Sequence, residues 1–162
     1  MEEIVSITAI AGLLHDIGKF ALRAGASGNR IWDAAAKQDF GRKHAMLTDD
    51  FVERCVPSAW RAQVRSAASS HHRPSSRSDY AVTLADHFSA GEREASDEDE
   101  ASIQPQQLLS IFCSVEADGA KAPAPVFWPL KQLNLDENTI FPAPALPSNQ
   151  VAAGYSSLWD SF

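Results

Sequence analysis

The sequence predicts a mainly α-helical bundle followed by a small β-hairpin and linker segment. Three observations predict it. Apolar residues recur at spacings of three and four through much of residues 4–93. Breakers at Gly25, Pro57 and Pro74 cut that pattern into helix-sized pieces. The short β-prone runs, 108–115 and 126–135, fall only in the second half. At 162 residues the chain is long enough to bury a core as one domain, or one domain with appended segments.

The first helix is expected over residues 4 to 23, where Ile4, Ile7, Ile10, Leu14, Ile17 and Ala21 mark one face and Gly25 offers a stop. Residues 24–42 are rich in Gly, Ala and polar residues and read as a loop with one short helix. From Lys43 a second long helix places His44, Leu47 and Phe51 on one face and ends before Pro57. Ser58 is the expected N-cap of a helix through Trp60, Val64 and Ala68 that finishes near Ser70. His71-His72 therefore sits at a helix C-terminus. After the polar connector 73–78, Ser78 or Asp79 can cap a helix through Leu84, Asp86 and Phe88 to about Arg93.

Beyond that point the character changes. The expected organisation is a helical domain over 1–93, an acidic linker over 94–106, a strand-containing segment over 107–146 and a tail over 147–162 leading to domains absent from this chain. Repeated prolines after Phe141 favour extended chain, and residues 155–162 form a short amphipathic piece. The net charge of -7 is unevenly spread: residues 1–91 hold 11 Lys/Arg against 10 Asp/Glu, and residues 92–162 hold 3 against 11. The acidity thus belongs to the second half, and the first half can still meet a polyanion through Arg61, Arg65, Arg73 and Arg77. Two cysteines, Cys55 and Cys113, exclude a disulfide framework and a four-cysteine zinc site, and with no membrane span or signal peptide the expected location is cytoplasmic.

The chemistry concentrates in Leu13-Leu14-His15-Asp16-Ile17-Gly18-Lys19-Phe20. Two polar side chains stand there where aliphatic ones would bury better. An imidazole and a carboxylate about 100° apart on a helix can lean toward one ion. Lys19, one turn further along, can bring an ammonium to a phosphate oxygen. His44, His71, His72 and Asp86 follow on or beside later helices, so four of the five histidines join the set, with His87 outside it. Imidazoles mixed with carboxylates suit Mn, Fe, Co or Ni as divalent ions, one or two of them, better than an all-oxygen Mg shell or a thiolate zinc site. Such ions acidify water and stabilise phosphoryl oxygens, so the set predicts phosphoester hydrolysis, with Lys19 adding charge stabilisation. A small-molecule phosphohydrolase acting on nucleotides, and an inactive metal-binding docking domain, remain as alternatives.

The order LLHDIGKF, KHAMLTDDF, SSHH and LADHFSAGERE resembles the HD-superfamily domain that begins the large subunit of type III-A (Csm) CRISPR effector complexes. The likeness continues through LLSIFCSV, PLKQLNLDENTIFP and YSSLWDSF. The resemblance implies a permuted helical HD fold and a metal-dependent nuclease, endo- or exonucleolytic, that cleaves single-stranded DNA in antiviral defence. It implies as partners the guide RNA and other subunits of the complex, and the remainder of the large subunit. Carried over by position, His15 and Asp16 match the namesake pair, His71 and His72 the double histidine, and Asp86 the closing aspartate. His44 matches the histidine of an HxxxS-like helix, with Thr48 in place of the serine. The general HD pattern has a further histidine upstream of His-Asp. None of the 14 residues preceding the pair here is His, which a circular permutation accommodates. The family's palm-domain GGDD motif and four-cysteine element are not in this sequence, so cyclic oligoadenylate synthesis is not assigned, and the chain reads as an N-terminal portion.

Overall fold

The structure is a computed structural model and describes residues 2–90, 105–114, 119 and 124–162. The chain divides into two compact units, Met1–Leu22 with Ala26–Ile103, and Arg23–Gly25 with Gln104–Phe162. The expected acidic linker falls outside the described residues apart from its last two, Pro105 and Gln106. Among the described residues the chain is mainly helical, and no regular strand forms.

In the first unit, α1 (Glu2–Leu14), α2 (Ile17–Arg23), α3 (Ala34–Phe40), α4 (Lys43–Cys55), α5 (Ser58–Ser69) and α6 (Arg77–Ala90) follow in order. The core is Ile7 and Ala11 of α1, Val52 of α4 with Val56 after it, Val64, Ala67 and Ala68 of α5, and Val82 of α6, with Ile10 and Leu14 packed against them. Each buried valine or isoleucine contributes about 1.5–3 kcal/mol of transfer free energy. Small residues at Ala11, Ala67 and Ala68 bring the helix backbones close. That closeness lets side chains from three directions meet at one end of α1.

The expected single helix over 4–23 is interrupted: His15 and Asp16 form a turn between α1 and α2. By length and composition alone, Glu3–Arg23 is apolar enough to cross a membrane, with a mean hydropathy of 1.4. Here it carries His15, Asp16 and Lys19, and α1 packs on α5 and α6. Helix α3 is the short helix expected inside 24–42, begun by Asp33, whose carboxylate accepts the Ala36 N–H at 2.9 Å, and ended by Gly41 at φ 75°.

Helices α4 and α5 are pinned by a buried carboxylate. Asp49 accepts both forks of Arg65 at 2.6 Å and the Ser69 hydroxyl at 3.1 Å. Helix α6 begins earlier than expected. Ser76 Oγ accepts the Asp79 N–H at 3.2 Å, and Asp79 accepts the Ser76 N–H at 2.9 Å, so Ser76 is the cap and Asp79 its reciprocal partner three residues on.

In the second unit the expected strand pair is reduced to isolated antiparallel bridges, Leu109 with Phe127 and Phe127 with Ala143, followed by a 3-10 turn at Ile111–Ser114. Pro129, Pro142 and Pro144 lack the N–H that a continuing ladder needs, which keeps the pairing short. A short helix α7 (Glu137–Ile140) is capped by Asp136. The tail is more ordered than expected: α8 (Ser148–Asp160) follows Pro147 and buries Val151 and Tyr155. Tyr155 donates to the Gln106 carbonyl at 2.6 Å.

Candidate metal centre

All six sequence-derived ligand candidates lie in the first unit, on four structural pieces. His15 and Asp16 occupy the α1–α2 turn, His44 the first turn of α4, His71 and His72 the residues just after α5, and Asp86 the middle of α6. They assemble into two triads, His15 with Asp16 and Asp86, and His44 with His71 and His72, and within each triad the potential ligand atoms lie within 4.8 Å of one another.

Hydrogen bonding fixes which ring nitrogen faces the centre. His15 Nδ1 donates to the Gly12 carbonyl at 2.6 Å and His71 Nδ1 donates to the Ala68 carbonyl at 2.7 Å. A carbonyl only accepts, so Nδ1 carries the proton in both rings. In the neutral ring, Nε2 is then left as a lone pair. His15 Nε2 is buried and makes no hydrogen bond, yet it stands 3.4 Å from Asp86 Oδ1 and 3.5 Å from Asp16 Oδ2. The Nε2 edge of His15 thus faces two carboxylates.

In the second triad, His44 Nε2 lies 2.9 Å from His72 Nε2 and 3.4 Å from His71 Nε2. Asp16 reaches both groups: Oδ2 faces His15, and Oδ1 lies 3.5 Å from His44 Nε2. Two ligands on one first-row ion with bonds of about 2.1 Å stand about 2.9–3.4 Å apart at octahedral or tetrahedral angles. The observed separations of 2.9 to 3.5 Å match that spacing, so the donor set fits a small divalent cation.

Protonation agrees with ligation. Burial pushes the His71 imidazole down to about 4, with the neighbouring imidazoles opposing its charge and the Ala68 bond only partly restoring it. Burial, then the His71 and His44 rings and the Arg42 guanidinium, push His72 down to about 3. Both rings are therefore neutral near pH 7, the form that binds metal. Burial works to raise the Asp16 carboxyl, but Lys19, His15 and His44 outweigh it and hold it below its ordinary value.

Lys19 donates to Asp16 Oδ2 at 2.9 Å, so it lies at the edge of the centre. Gly18, Thr48 and Thr83 pack or hydrogen-bond beside the candidate ligands, roles that the sequence alone did not assign to them. A Cβ at Gly18 would run into the His44 carbonyl, so only glycine lets α2 approach α4 this closely. Thr48 and Thr83 donate to the carbonyls of His15 and His71, at 2.9 and 2.7 Å. Their sequence signal is position: Thr48 one helical turn after His44, at the serine of the HxxxS-like helix, and Thr83 one turn before Asp86.

Compared with protein-family models, curated proteins and solved structures, the chain matches none.

Proposed function

We propose that this chain is a metal-dependent phosphodiesterase that cleaves single-stranded DNA, built on a permuted HD-type helical bundle. The observation that carries the reading is the buried Nε2 of His15, without a hydrogen-bond partner and aimed at two carboxylates, beside a second triad of imidazoles reached by the same Asp16. Imidazole nitrogens and carboxylates gathered in this way can hold a cation, and two adjacent triads suit a pair of ions.

When bound, first-row divalent ions such as Mn, Ni, Co or Fe polarise a phosphoryl oxygen and acidify a water at neutral pH. The chain's own residues hold and orient that chemistry. His15, Asp16 and Asp86 form one coordination face, His44, His71 and His72 the other, and Asp16 sets the spacing between them. Lys19 stands beside Asp16, where its ammonium can turn to a phosphate oxygen. The substrate class is supported by the sequence resemblance to the type III-A large-subunit HD domain. That resemblance also supports a cytoplasmic role in an RNA-guided antiviral complex, with guide RNA, other subunits and the rest of the large subunit as partners.

The test is degradation of end-labelled and circular single-stranded DNA with Mn²⁺, Ni²⁺ or Mg²⁺, comparing the chain with its His15→Ala/Asp16→Ala form. Metal-dependent cleavage lost in the double variant is expected. Equal cleavage by both forms would overturn the reading, and faster turnover of a nucleotide panel would move the assignment to a nucleotide phosphohydrolase.

A further inference from the structure

We infer that Thr48 is a positioning residue for the metal centre, setting the distance between the two triads through the backbone of the α1–α2 turn. The inference rests on the metal-centre reading above. Thr48 is fully buried on α4, one turn after His44. Its hydroxyl donates to the His15 carbonyl at 2.9 Å and accepts the Gly18 N–H at 3.1 Å. One side chain therefore closes the turn on both sides of Asp16, because His15 precedes that residue and Gly18 follows it by two.

The geometry explains why this matters. His15 and Asp16 leave the regular helix, and the broken helix exposes backbone groups that need partners. The Thr48 hydroxyl supplies both a donor and an acceptor to them, and it does so from the helix that carries His44. Gly18 against the His44 carbonyl brings α2 to the same place from the other side. The separation of His44 Nε2 from Asp16 Oδ1, 3.5 Å, is thus set by contacts that share one element. Polar groups that orient ligands without touching the ion typically change metal affinity about 10–100-fold when removed.

Thr48→Val keeps the shape and removes both hydrogen bonds. Thr48→Ser keeps them and removes only the methyl. Thr48→Cys keeps the size with a weak donor and is a second probe if the valine variant folds poorly. Each full-length chain is titrated with Mn²⁺ by calorimetry, and the Mn²⁺-loaded form is read by electron paramagnetic resonance for coupling between ions. Folded fraction is checked in chelator by circular dichroism. The expected result is a loss of about tenfold or more in affinity for Val and Cys, with weakened coupling, and near wild-type behaviour for Ser. A merely structural role would lower thermal stability in chelator yet leave affinity and coupling of the folded protein unchanged. That outcome in Val and Cys overturns the inference while the metal-centre reading stands. Failure of the unaltered chain to take up Mn²⁺ overturns both.

Discussion

His15 Nε2 lies 3.4 Å from Asp86 Oδ1, while Nδ1 of the same ring donates to the Gly12 carbonyl on the far side. Residues 71 apart in sequence are brought to that distance by α1 packing on α6. Asp86→Asn keeps the shape and removes one carboxylate from the triad. The expected outcome is a folded chain in chelator with Mn²⁺ affinity reduced about tenfold or more and one ion lost from the stoichiometry. Calorimetric titration beside thermal melts reads both.

The second prediction concerns pH. His71 and His72 are held at about 4 and about 3, below the value of about 6.5 that an unfolded histidine has. Below pH 6.5 the unfolded chain therefore binds more protons than the folded one, and stability falls as pH falls. In chelator, the melting temperature is expected to be flat above about pH 7 and to drop between about 6.5 and 4. The slope reaches at most about 1.4 kcal/mol per pH unit for each ring. His71→Gln/His72→Gln should flatten that window.

A third prediction isolates the α6 cap. Burial works to raise the Asp79 carboxyl, but the Ser76 hydroxyl and the Ser75, Ser76 and Ser66 donors outweigh it and hold it below its ordinary value. A depressed carboxylate contributes stability above its unfolded pKa of about 3.9 and loses it as pH falls through the lower folded value. Asp79→Ala leaves those donors unpaired and is expected to cost about 1–3 kcal/mol at pH 7, read by urea denaturation. Because α6 carries Asp86, Mn²⁺ affinity should weaken as well.

Gly18→Ala gives the fourth. The new methyl collides with backbone, which cannot rotate away as a side chain can, so a loss of about 3 kcal/mol or more in urea unfolding is expected. Gly12→Ala, with open space around the site of the new methyl, should be neutral or slightly stabilising.

Much of the first unit was legible in the sequence because its helices obey local rules. The α4 and α5 periodicity, Pro57 between them and Gly25 after α2 all act within a turn or two of themselves. The grouping of six candidate side chains was legible because imidazoles and carboxylates in apolar stretches have few structural uses. The break at His15-Asp16 was not, since the apolar spacing runs through it and its backbone is met by Thr48, 33 residues away from His15. The strand expectation failed for a similar reason: β-prone residues around Leu109 and Phe127 pair once each way, and nearby prolines stop the ladder. Helix α8 lay hidden in a proline-rich stretch because Pro147 starts it, where proline's fixed φ helps rather than hinders.

The most direct measurement is anomalous scattering from crystals of the full chain soaked in Mn²⁺. One peak is expected among His15, Asp16 and Asp86 and a second among His44, His71 and His72, with Asp16 within bonding distance of both. Ordered side chains at these positions with no peak at either triad would contradict that expectation.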